Sequence, residues 1–128
     1  MAFRRLQDQA GVSRPGSARA GLALQIMGEG WRFGSGGFRF QNTWADELLP
    51  ALDEFKPQLL LISAGFDAHM RDPLADLMLE TQDFAWLTRQ LRGLARRHAA
   101  GRVVSMLEGG YDLEALRECS AAHVDELR

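Results

Sequence analysis

Two short runs constrain this chain more than anything else in it: "QLLLIS" (58–63) and "RVVSML" (102–107). Each has the length of a strand and is apolar at successive positions, so neither shows the alternation of a strand with one wet face. A strand that is apolar on both sides belongs in a parallel sheet covered on both sides. Between the two runs a helical pattern begins, with Thr81 as its cap, Phe84, Leu87, Leu91 and Leu94 on one stripe, and Gly101 near its end. Strand, helix, strand is the βαβ unit of an α/β layer, and its crossover is right-handed almost without exception.

The flanks extend the pattern. Trp44, Leu48, Leu52 and Phe55 recur at helical spacing, with Thr43 as candidate N-cap. Pro50 predicts a kink or break in that helix, and Pro57 ends it. After "EGGYD" (108–112), Leu113, Leu116, Ser120, Val124 and Leu127 mark a last helix. The expected fold is therefore α/β, parallel strands with flanking helices in the order βαβα. Two strands make an incomplete sheet, and its exposed apolar edge predicts poor solubility or pairing with another chain.

With 128 residues the chain suits one domain. A net charge of −2 argues against a dedicated nucleic-acid binder, and no apolar run approaches the roughly 20 residues of a membrane span. The N-terminus carries arginines but no apolar core followed by a small-residue cleavage site, so no signal peptide is expected. Cys119, the single cysteine, excludes an internal disulfide and a cysteine-based zinc knuckle, and fits a reducing cytoplasm. Its helical setting reads as packing. Residues 1–34 hold five Arg against Asp8 and Glu29, a net of +3 that leaves −5 for the remainder. That segment is rich in Gly, Ser and Ala, and "GEGWRFGSGG" (28–37) reads as loop. Residues 1–37 are accordingly expected to be a poorly structured or non-native leader, and 38–128 the domain.

In open α/β sheets ligands bind outside the carboxyl ends of the strands. "AGFDAH" (64–69) and "EGGYD" both start there, so parallel neighbours would bring them to one rim. Asp67, just past a glycine at a strand end, is well placed as a hard oxygen ligand for a divalent ion; the plainer reading is an aspartate that caps its own loop. His69 could add a second ligand, yet two fall short of the three that a catalytic zinc takes from protein. His98 and His123 sit in helical patterns that suit solvent or packing. Asp72, before Pro73, reads as a turn constraint. Tyr111, the only tyrosine, follows two glycines that allow close backbone approach, and its phenol could donate to a developing oxyanion; alone, it reads as a surface residue on a turn. Arg89, Arg92, Arg96 and Arg97 read as a solvated helix face.

Together, "ISAGFDAHMRDPLADL", "FAWLTRQL" and "RVVSMLEGGYDLEAL" resemble the histone deacetylase superfamily, most closely its bacterial class II-like deacetylases and acetylpolyamine amidohydrolases. The likeness runs from about Phe38 to the C-terminus and corresponds to the last third of that catalytic domain. It implies an arginase-like fold with zinc at the strand ends. By resemblance Asp67 is a zinc ligand, Tyr111 is the catalytic phenol that polarises the acetyl carbonyl, and Leu74, Gly109 and Gly110 line the acyl tunnel. His69 does not match a family ligand position. The implied reaction is hydrolysis of an acetyl-lysine or acetylpolyamine amide to acetate and amine. The family's paired histidines and its Asp-x-His ligand pair lie upstream of these motifs. No two histidines are adjacent here, and the only Asp-x-His is "DAH" (67–69). The chain alone is therefore expected to be inactive, as part of a deacetylase or as a non-catalytic remnant that only binds another protein. A small nucleotide-binding module is disfavoured, because "EGGYD" is short and places Glu108 and Asp112 where a phosphate would sit.

Overall fold

A computed structural model of the chain describes residues 35–74 and 77–128. The expected leader lies outside the described residues, apart from its last three positions. The elements are α1 (Gly37–Thr43), a π turn (Trp44–Leu48), α2 (Leu49–Phe55), β1 (Leu60–Ala64), α3 (Thr81–His98), β2 (Val103–Leu107) and α4 (Leu113–Leu127). β1 and β2 pair in parallel, from Leu60 opposite Val103 to Ala64 opposite Leu107. The expected α/β order is present, with a two-stranded sheet among the described residues.

Helical structure starts at Gly37, ahead of the predicted cap. Thr43 lies inside it, and its hydroxyl donates to the Arg39 carbonyl at 3.0 Å as an interior threonine does. The apolar stripe reaches back one turn further than expected, because buried Phe40 packs edge-on to Trp44 with centroids 6.3 Å apart. Pro50 does not end the helix. It has no N–H for the preceding turn, and the chain widens into the π turn just before it, then resumes as α2. Lys56, at φ 54° in the left-handed region, closes α2 through its N–H to Leu52, and Pro57 follows.

Glu80, not Thr81, is the N-cap of α3. The Asp83 carboxylate accepts from the Glu80 N–H at 2.9 Å and from Gln41 at 2.8 Å, which fastens the start of α3 to α1. Phe84, Leu91 and Leu94 of the predicted stripe are buried, and Leu87 packs at the margin. On the opposite face Arg89 pairs with Glu126, and Arg97 reaches Asp53 at 2.7 Å. In α4 the stripe differs from expectation. The buried positions are Ala115, Cys119 and His123, while Leu113 and Val124 face outwards. Cys119 and His123 meet Thr81 and Thr88 of α3, and Leu116 packs at the core margin.

His123 pins three elements. Thr88 on α3 gives its hydroxyl proton to the Phe84 carbonyl at 2.7 Å. Nδ1–H of His123 therefore donates to Thr88 Oγ1 at 2.7 Å, and the bare Nε2 accepts from the Ser105 hydroxyl on β2 at 2.8 Å. Burial pushes the imidazole pKa below its ordinary 6.5. The unfolded chain then binds the proton more readily, so this group's contribution is complete above about pH 6.5 and is lost as pH falls below it. His123→Leu should cost about 1–3 kcal/mol at neutral pH and flatten this part of the stability profile. Urea midpoints of both proteins at neutral and mildly acidic pH test it; parallel profiles would contradict the assignment.

The strands are not covered as their composition predicts. Leu60 and Ala64 point into the core with Phe66, Leu91 and Leu94. Leu61, Val104 and Met106 point the other way and are 65%, 46% and 51% exposed. Within the described residues only one sheet face is packed, so the two-sided apolar pattern is half used. The exposed face fits the expected incomplete sheet.

Candidate functional site at the strand ends

The β1–β2 ladder does not stop with the strands. Glu108 N–H donates to the Ala64 carbonyl at 3.0 Å, and Phe66 N–H to the Gly109 carbonyl at 2.8 Å. The two loops are thus stitched together as they leave the sheet, and both expected stretches stand on one rim. Phe66 is buried beneath it, with its ring edge-on to Phe84 at 5.3 Å and to His123 at 5.9 Å. Turning Phe66 inward places the next residue, Asp67, on the rim.

The Asp67 carboxylate is seated on backbone. A Cβ added at Gly109 would lie 2.7 Å from its Cγ and Oδ2, and one at Gly65 would lie 2.9 Å from Oδ1. The space a side chain would take at these positions is filled by the carboxylate. Gly110 is required for a different reason: its φ of 137° is one that other residues rarely adopt. Tyr111 follows at the mouth of this turn and is 57% exposed. Asp67, Gly109, Gly110 and Tyr111 therefore form one contiguous feature.

Asp72 joins the third piece. Its buried carboxylate accepts from Leu74 N–H at 2.9 Å through Oδ1, and from the N–H groups of Tyr111 and Asp112 at 2.7 and 3.3 Å through Oδ2. Burial alone would raise its pKa. The Tyr111, Leu74 and Asp112 amides, with His69 nearby, outweigh that and hold it below the usual carboxylate range. The Leu74 bond is the expected turn constraint. The two bonds across to the glycine turn have no local signal in sequence. Leu74 itself is 69% exposed.

His69 is placed differently from Asp67. It is buried, its ring stacks on Phe84 at 6.4 Å with 13° between planes, and Nδ1 accepts from Arg71 N–H at 3.2 Å. Such contacts suit a packed histidine. His98 bonds Asp53 at 2.9 Å, and Cys119 is fully buried with Sγ 3.6 Å from Thr81 Oγ1. Burial raises the thiol pKa, so the thiol stays protonated. Among the described residues no three His, Cys, Asp or Glu side chains gather to hold a metal ion, and no helix is long and apolar enough to cross a membrane.

Comparison with known proteins meets this geometry. The family model of the histone deacetylase domain matches residues 19–127, reaching back past the Phe38 at which recognisable motifs begin. The Pseudomonas aeruginosa histone deacetylase-like amidohydrolase is 35% identical over 125 residues, 93% of this chain and 33% of that protein. Type-2 histone deacetylase 1 of Dictyostelium discoideum is 49% identical over 80 residues, 62% of this chain and 5% of its own length. Among solved structures, the histone deacetylase Clr3 superimposes with a TM-score of 0.68 at 31% identity, over 73% of this chain and 15% of that one. The HD domain of HDA15 does so at 0.67 and 30%, over 73% and 26%. This chain belongs to the histone deacetylase family and carries part of its mixed α/β fold, spanning a third or less of these relatives.

Gly109 has no left-handed φ, and the atoms nearest to a Cβ added there are those of the Asp67 carboxylate. Gly109→Ala should push the Asp67 carboxylate aside at little cost to the fold, read as a displaced Asp67 side-chain NMR signal with a nearly unchanged urea midpoint. An undisplaced Asp67 signal would mean that the carboxylate is not seated there.

Proposed function

We propose that this chain supplies the C-terminal part of a zinc-dependent deacetylase, whose reaction is hydrolysis of an acetylated lysine or acetylpolyamine to acetate and an amine. One observation carries the reading: the Asp67 carboxylate rests on Gly109, two residues before Tyr111, at the carboxyl ends of two parallel strands. In this reading Asp67 is a zinc ligand, Tyr111 donates its phenol proton to the acyl oxygen as charge develops there, and Leu74, Gly109 and Gly110 border the acyl chain. His69, held by Phe84 and the Arg71 amide, is left as packing.

The described residues do not fit a zinc ion by themselves. Of the rim acids, Glu108 is held by Ser63 and Asp112 caps α4, which leaves Asp67, whereas a catalytic zinc takes three protein ligands. The metal and the acid–base histidines belong to the remainder of the domain, and the chain by itself is inactive. The exposed row of Leu61, Val104 and Met106 supports contact with further protein; by the same observation, a purely binding remnant is the second reading. The buried, protonated Cys119 is compatible with a cytoplasmic setting.

A chimaera decides between the two. This chain replaces the matching third of the Pseudomonas amidohydrolase, and hydrolysis of an acetyl-lysine peptide is measured. Activity is expected, and Tyr111→Phe should lower kcat by about 10²- to 10³-fold. A folded but inert chimaera would favour the remnant; an undiminished Tyr111→Phe rate would remove Tyr111 from the reaction.

A further inference from the structure

Asp72 does more than its own loop requires. A turn is closed by the single bond to the Leu74 N–H, yet the second oxygen reaches across to two amides on another loop. The side chain is 6% exposed, and among the described residues no Lys or Arg forms an ion pair with it. Its charge is met by backbone N–H groups instead. Two of those, from Tyr111 and Asp112, lie at the N-terminus of α4, where the helix dipole favours an anion. Only a carboxylate suits this place: it accepts on both oxygens and presents no proton, whereas an asparagine would turn an NH₂ group against one side.

We infer that Asp72 is a positioning residue that sets where the Tyr111 side chain stands relative to Leu74 and Asp67. The inference rests on the deacetylase reading for what Tyr111 does there. Tyr111 is fixed from three directions. Gly110 before it has a φ of 137°, which no ordinary residue would hold. Its own amide is held by Asp72 at 2.7 Å. The residue after it, Asp112, is committed as the N-cap of α4 through Ala115 N–H at 2.7 Å. Of these, only Asp72 also holds the Leu74 loop. Without it the glycine turn and that loop lose their direct tie, and the exposed phenol is free to wander.

The chain's single tyrosine makes the test specific, since [¹⁵N]tyrosine labelling of the 128-residue protein gives one backbone amide signal, that of Tyr111. Its exchange with deuterium is followed by NMR in the unmodified chain and in Asp72→Asn, and the amides of α3 and α4 are followed in uniformly ¹⁵N-labelled samples of both. The expected result is exchange at Tyr111 faster by about ten- to a hundredfold, with displaced ring signals and unchanged helix amides. An unmoved Tyr111 amide overturns the inference. So does equal acceleration throughout α3 and α4, which would make Asp72 a general stabiliser. Should Asp72→Asn fail to fold, the unmodified chain decides: slow exchange at Tyr111 supports the tie, and the rate of a free peptide refutes it. No turnover enters this readout, so failure of the deacetylase reading would appear separately, in the chimaera.

Discussion

The site depends on a parallel ladder that outlasts its strands. Register within β1 and β2 places Ala64 opposite Leu107, and two further bonds carry the pairing to Phe66 and Gly109. That extension is what turns two loop motifs, more than forty positions apart in the chain, into one rim. It puts Gly109 directly beneath the Asp67 carboxylate, and it sets the glycine turn at the distance the Asp72 carboxylate spans. Slipping the register by one residue would exchange the inward and outward faces of both strands and disperse the rim.

The supports under the rim are layered. Phe66 is packed between Phe84 and His123, so the orientation of Asp67 is inherited from the contact between α3 and α4. His123 in turn reads both Thr88 and Ser105, linking those helices to β2 through neutral hydrogen bonds that burial favours. The opposite sheet face has no such backing among the described residues, and Leu61, Val104 and Met106 remain exposed there. The Pseudomonas relative, matched over 93% of this chain, is covered to only 33% of its own length, which gives a physical reason for strands apolar on both sides.

Much of this was legible in the sequence because it rests on local pattern. The strands, the α3 stripe, the stop at Pro57 and the strand-end location of "GFDAH" and "EGGYD" follow from periodicity and turn chemistry. Several of the misses depend on a partner distant in sequence. Helix α1 starts early because Phe40 meets Trp44 and the α3 capping carboxylate reaches Gln41. The buried face of α4 is set by Cys119 and His123 meeting Thr81 and Thr88 of α3. Asp72 was visible as a turn former, whereas its bonds to Tyr111 and Asp112 exist only once the ladder has brought the loops together.

Metal content of the chimaera with the Pseudomonas amidohydrolase separates the roles of Asp67 and Tyr111 at the rim. Zinc retained after exhaustive dialysis would be counted in the chimaera, in Asp67→Ala and in Tyr111→Phe. Asp67→Ala is expected to lose the metal, and Tyr111→Phe to keep it. Zinc retained equally in all three would contradict Asp67 as a ligand, and with it the reading of this rim as part of a deacetylase centre.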